Sequence, residues 1–127
     1  MIKNFLILNC IGKNDKIGIK IDNKFYIHDI DQNLNKNDVL VLNILNIVKK
    51  YKINVNNDFS ILVNNGPGSF SSIRTSLAVA KGIKISNKIN LYGYRSIDLG
   101  QFNLANIELL IKKNLIQKNL IKPLYIS

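Results

Sequence analysis

Residues 59–84 read FSILVNNGPGSFSSIRTSLAVAKGIK. The first part, Phe59–Val63, is a short apolar run with the length and composition of a buried strand. The middle, NNGPGSFSS at 64–72, is a polar corner. From about Ser71 to Lys84 the pattern becomes helical, with Ile73, Leu77 and Val79 among small residues. A strand that turns directly into a helix calls for an α/β architecture.

The corner has two readings. Glycine-rich turns before helices can hold phosphate, because backbone N–H groups at a helix N-terminus attract anions. The residues do not complete such a site. A Walker loop ends in Lys and Ser/Thr, and Phe70 follows Ser69 here; a dinucleotide fingerprint needs glycine where Ser71 stands. The structural reading is stronger. Pro67 fixes φ, Gly66 and Gly68 turn the chain, Ser69 or Ser71 caps the helix, and Phe70 is expected to anchor the corner in the core.

Working outward, Phe5–Leu8 reads as a buried strand. Lys16–Asp22 alternates strictly, with Ile17, Ile19 and Ile21 on one face. Asp22-Asn23 reads as a tight turn into a third strand, Lys24–Ile30, which completes a meander. Asp38 is expected to cap a helix running to about Lys50. Apolar residues, Leu42 and Leu45 among them, nearly encircle it. A helix apolar on most sides must be covered on most sides. The cover is either a neighbouring helix of this chain or a partner protein. Asn90–Tyr94 is a further strand, and Ser96 is placed to cap a short helix. Leu104–Leu120 reads as a last helix, stopped by Pro123, with 123–127 an extended tail. The element order predicts a mixed five-stranded sheet with flanking helices, parallel where a helix separates consecutive strands.

The chain has 127 residues, which fits one domain. No apolar run approaches the ~20 residues of a membrane span, and the start lacks a signal-peptide pattern. A single cysteine, Cys10, excludes an internal disulfide and fits a reducing cytoplasm. The net charge is +10, but the basic residues are lysines apart from Arg74 and Arg95. Abundant Lys, Asn and Ile match an AT-rich coding bias, so charge alone is a weak pointer to nucleic acid.

Catalytic groupings are sparse. His28 is the only histidine, so no multi-histidine metal site can form. Asp29 and Asp31 begin a polar loop. Cys10 lacks an activating neighbour in sequence and reads as a small core residue. No catalytic, cofactor or metal residue is therefore assigned. Arg74 lies in the first turn of its helix, where the macrodipole disfavours a cation. It is either solvated or engaged at an interface. Thr75, Ser76, Ala78, Ala80 and Gly82 give that helix a smooth surface suited to close packing.

Gly66-Pro67-Gly68-Ser69-Phe70, then Ile73-Arg74, then Ala80-Lys81-Gly82 resemble the GPGSFTGLR…AKG signature of the bacterial TsaB family, also called YeaZ. Ser96-Ile97-Asp98-Leu99 and the ending Pro123-Leu124-Tyr125-Ile126 resemble further family positions. The resemblance implies half of an actin-like, RNase H-like (ASKHA) fold. It implies a non-catalytic companion of TsaD in making threonylcarbamoyladenosine in tRNAs that read ANN codons, with TsaE and tRNA reached through the complex. The heterodimer would form through helices at about 38–50 and 71–84, with Leu42, Leu45, Arg74, Thr75, Ala78 and Val79 at the interface. A homodimer through the same helices is expected when TsaD is absent.

Three departures stand out. Family members begin with a strand ending in Asp-Thr-Ser, and Asn9-Cys10-Ile11 stands there. Thr-Gly within the signature is Ser71-Ser72. The second actin-like half is largely missing, so the chain reads as one shortened domain: an N-terminal half at 1–100, and a residual helix and tail at 101–127. The alternatives are a nucleotide-binding actin-like ATPase and a basic RNA-binding module.

Overall fold

The apolar runs Phe5–Leu8 and Ser60–Val63 are buried on both sides, and the fold is arranged around them. The computed structural model describes residues 2–30, 36–54, 58–118 and 121–124, with the side chains of 36–38 excepted. Among the described residues the strands are β1 (Phe5–Asn9), β2 (Lys16–Ile21), β3 (Lys24–Asp29), β4 (Ser60–Asn64) and β5 (Asn90–Tyr94). The helices are α1 (Lys36–Lys50), α2 (Phe70–Asn87), α3 (Ser96–Leu99) and α4 (Leu104–Lys112).

The strands form one mixed sheet in the order β3-β2-β1-β4-β5. β1 pairs antiparallel with β2, and β2 with β3. β4 joins β1 in parallel, and β5 joins β4 in parallel. Each parallel neighbour is reached through a helix, as the geometry of parallel pairing demands. The β2–β3 hairpin turns on Asp22 and Asn23 at φ 50° and 67°. Two consecutive positive-φ residues make the primed turn whose twist matches a hairpin, and Asp and Asn tolerate it best after glycine.

Alternation along β1 sends Leu6 and Leu8 to one face and Phe5 and Ile7 to the other. The first face holds the larger core, where Ile61, Val63 and Leu91 meet Leu40, Ile44 and Ile47 of α1 and Ile73, Leu77 and Ala80 of α2. The second holds Leu62 and Tyr94 against Leu99, Ile107 and Leu110 of α3 and α4. The result is a sheet between two helical layers. The larger layer is the α1–α2 pair.

The C-terminal third differs from the sequence expectation. The helical pattern over Leu104–Leu120 ends at Lys112. Asn114 adopts φ 57°, its N–H bonds to Ile111 O, and the Leu115 N–H bonds back to Leu110 O. This paired bonding around a left-handed residue is a Schellman stop. The chain then returns along β5, where Gly93 and Gln117 exchange two 2.8 Å backbone bonds. Leu115 and Ile116 are therefore not on a helix face; Ile116 packs on the second core. Two expected caps also move. Asp38 falls inside α1, and the side chain of Asp38 lies outside the described residues. Ser96 is the first residue of α3, whose cap is Arg95. Asp31 and the tail beyond Leu124 likewise lie outside the described residues.

Ile73 is fully buried where α2 crosses the sheet. Ile73→Ala is expected to cost about 2–5 kcal/mol through lost transfer energy and a residual cavity, read as a lowered urea midpoint at unchanged m-value.

Candidate partner-binding face and signature corner

The corner begins where β4 ends. Asn64 is 1% exposed, and its whole amide is engaged. Its Nδ2 donates to Asn9 Oδ1 at the end of β1, 2.7 Å away. Its Oδ1 accepts from Gly66 N at 2.8 Å and from Ser96 Oγ at 2.9 Å. Tyr94, fully buried at the end of β5, donates its hydroxyl to Leu8 O at 3.0 Å. Burial, then the nearby Cys10, push that phenol above its ordinary range. One asparagine thus joins β1, β4 and the start of α3.

The tail closes the same corner. Leu124 N donates to Asn65 O, and Asn65 Nδ2 donates to Lys122 O at 2.9 Å. Gly66 has φ 109°, and a Cβ there would run into the Leu124 carbonyl. The position therefore requires glycine for two reasons, its backbone region and the contact. The peptide bond that follows, Gly66–Pro67, is cis. The two separated parts of the sequence that resemble TsaB, the GPG turn and the Pro123 tail, meet here.

Ser69 caps α2, accepting from Ser72 N at 3.4 Å. Phe70 does not anchor the corner; it is 56% exposed. The buried stripe of α2 runs through Ser72, Ile73, Ser76, Leu77 and Ala80, and Phe70 lies outside it. Its ring lies beside Arg74 instead, with the guanidinium carbon 5.8 Å from the ring centroid. The first turn of α2 holds no acidic residue. The aromatic face supplies the compensation that the helix dipole withholds from Arg74.

The loop after β1 is filled from within. Asp15 is buried, and its Oδ1 accepts from Ile11 N at 3.1 Å and Gly12 N at 2.9 Å. Ser69 N donates to Ile11 O, and Ser69 packs against Gly12. A carboxylate thus holds the amides that an anion at this turn would need. Cys10 is buried beneath the loop, and burial, with Asp15 second, pushes its thiol far above the ordinary range. Among the described residues no group of three or more His, Cys, Asp or Glu is placed to hold a metal ion.

The α1–α2 face is of a different kind. Leu40, Ile44 and Ile47 form the buried stripe of α1. Leu42 and Leu45 are each 57% exposed on its other side, with Val41 beside them. Between the helices runs a groove of about 350 Å³, lined by Val41, Leu45, Ala78, Val79, Gly82 and Ile83 among others. A Cβ added at Gly82 meets nothing within 4 Å. Leu45, Ala78 and Val79 are therefore brought together, Leu42 flanks them, and Thr75 is half-buried. Arg74 and Lys81 lie on the other exposed flank of α2, at the spacing of two helical turns. Lys81 Nζ reaches Ile121 O at 3.5 Å.

No family model and no curated protein matches the sequence. Solved structures do match the fold. One is a crystal structure of an uncharacterized protein with similarity to peptidase YEAZ from Pseudomonas aeruginosa; its TM-score is 0.68 at 12% identity, over 76% of this chain and 45% of that one. Another is YeaZ from Pseudomonas aeruginosa, with the same score and identity over 88% of this chain and 50% of that one. The fold is YeaZ-like. The chain spans about half the length of either structure. No helix among the described residues is long and apolar enough to cross a membrane.

Asn64 and Tyr94 carried no motif signal in sequence, because asparagine is frequent throughout the chain. Removing the Asn64 amide strands the buried Gly66 donor, while the Ser96 hydroxyl keeps Pro67 O at 3.2 Å, so Asn64→Ala is expected to cost about 1–3 kcal/mol, read by urea unfolding. His28 gives a second test. Its Nε2 lies 2.8 Å from Tyr51 Oη, and partial burial, then Lys50, hold the imidazole below 6.5. The unfolded chain takes up this proton first as pH falls. The His28 contribution is complete above 6.5 and is lost as pH falls through the lower folded-state value. The stability gap between the native chain and His28→Gln should therefore narrow as pH falls from well above 6.5 through the lower folded-state value.

Proposed function

We propose that this chain is a TsaB-like scaffold, a non-catalytic companion of a TsaD-type protein in threonylcarbamoyladenosine modification of tRNA. The observation that carries the reading is the open α1–α2 face. Leu42 and Leu45 are exposed beside a groove floored by small residues. Gly82 stands in mid-helix with open space beside it. Glycine there weakens the helix by about 1 kcal/mol relative to alanine, and no described residue stands where a side chain would go. A smooth surface that admits another helix closely gives it a use. An apolar patch of this kind calls for a cover, and a helical face of the partner fits it.

The sheet order β3-β2-β1-β4-β5, with β2 alone reversed, supports one half of an actin-like fold. The YeaZ likeness over most of the chain supports the same assignment. The nucleotide-binding alternative is less well supported. Asn9 replaces the family's acidic residue and spends its oxygen on Asn64 and Tyr94, while Asp15 occupies the neighbouring amides.

The test is co-purification with the cognate TsaD-type protein. Leu45→Glu and Gly82→Arg should each abolish the complex while circular dichroism of the free chain stays unchanged. Gly82→Ala should raise the stability of the free chain by about 0.5–1 kcal/mol. Failure of the native chain to bind at micromolar concentration refutes the proposal. Without that partner the same face should pair with a second copy, and the same two substitutions should return the scattering mass to that of a monomer.

A further inference from the structure

The lysines are dispersed along the sequence, yet the fold gathers several of them. A groove of about 440 Å³ runs along the β5 side of α2, lined by Lys81, Lys84, Ile85, Leu91, Lys118, Ile121 and Lys122. Two of its lysines come from α2 and two from the returning C-terminal segment. Among the described residues no carboxylate lines it. A second concavity, on the α4 side of the sheet, shares Lys118 with it and includes Tyr92 and Lys112. Its single acid, Glu108, is already paired with Lys20 at 3.3 Å. The ammonium of Lys118 lies 6.0 Å from the centre of the Tyr92 ring, which packs in part on the second core and stays partly exposed.

We infer that this track, from Lys84 and Lys81 past Lys122 and Lys118 to Tyr92, binds single-stranded nucleic acid. The backbone phosphates would lie between the two lysine rails, and a base would stack on Tyr92. Charge complementarity supplies the first part: like charges held together with no acid among them attract a polyanion and release its counterions. The aromatic ring beside a lysine at the end of the groove supplies the second. Strand-binding surfaces combine a basic groove with a stacking platform in this way. The shape favours a strand over a duplex or a lipid surface. The lysine groove is concave, with Leu91 and Ile121 as its buried floor, and the track turns over the sheet edge at Lys118 to reach Tyr92 on the α4 side, a path a flexible strand can follow. Only Ile85, 82% exposed, projects from it. The surface lies on the flank of α2 opposite the α1 groove, so it is free whether or not a partner covers that groove.

The test is fluorescence anisotropy of a labelled 12-nucleotide oligouridylate with the full chain, from about 50 to 200 mM salt. The native chain should bind at low salt and weaken steeply as salt rises. The combined variant Lys81→Gln, Lys84→Gln, Lys118→Gln, Lys122→Gln should bind at least about 10-fold more weakly, with the salt slope reduced by about 3. Tyr92→Leu should bind at least about 5-fold more weakly with an unchanged slope. A control with the same charge loss, Lys3→Gln, Lys13→Gln, Lys24→Gln, Lys49→Gln, should retain most of the affinity. Equal losses in both lysine variants would reduce the effect to overall net charge and overturn the proposal. It is likewise overturned if Tyr92→Leu binds like the native chain. A third overturning result is vesicles with 30% anionic lipid binding the chain while the oligonucleotide does not. Thermal midpoints of all variants should match the native one, since every substituted lysine is solvent-exposed.

Discussion

The carboxamide of Asn64 is the point on which the corner depends. Three strands of the sheet end side by side there, and each brings backbone groups into a place with little water. An asparagine can both donate and accept, so one side chain satisfies Asn9, Gly66 and Ser96 together. An aspartate could not donate to Asn9, and an apolar residue would leave the buried Gly66 N–H bare. The direction of α2, the path of the tail and the start of α3 are all set from this corner. The residues flanking it need not be chemically active to be constrained.

α2 separates two unlike surfaces. Its sheet side is tightly packed, with Ser76 and Ala80 fully buried. Its outer side divides along the axis. The flank toward α1 carries Ala78, Val79 and Gly82, and that toward β5 carries Lys81, Lys84 and Ile85. The first favours dehydrated contact with another apolar surface; the second favours a counter-charge that salt can screen. A single helix can therefore serve two neighbours that differ in chemistry without their competing for space.

Much of this was legible in the sequence where local rules and tertiary needs agree. The strict alternation at Lys16–Ile21 and the Asp22-Asn23 turn gave the hairpin, and the run Phe59–Lys84 gave strand, corner and helix. Misreadings arose where one residue overrides a pattern. Asn114 stops α4 through a left-handed backbone that apolar periodicity does not reveal. Phe70 is hydrophobic but stands just before the buried stripe, so its phase on the helix decides, not its composition. The α1–α2 face was readable, because a helix apolar nearly all round has more surface than one sheet can cover. The lysine track was not. Its members are far apart in sequence, and only the fold, which sets Lys118 and Lys122 beside Lys81 and Lys84, brings them together.

Cys10 lies beneath the loop that Asp15 holds in place, buried and with its thiol strongly protonated. In the folded chain it is poorly reactive, since thiolate is the species that attacks alkylating reagents. Being the single thiol of the sequence, it acts as an internal clock. Each modification by a small alkylating reagent records an opening of the first core beneath that loop. Under conditions where reclosing outpaces labelling, the rate reports the free energy of that opening. The protein thus carries its own gauge of local stability, with no residue exchanged.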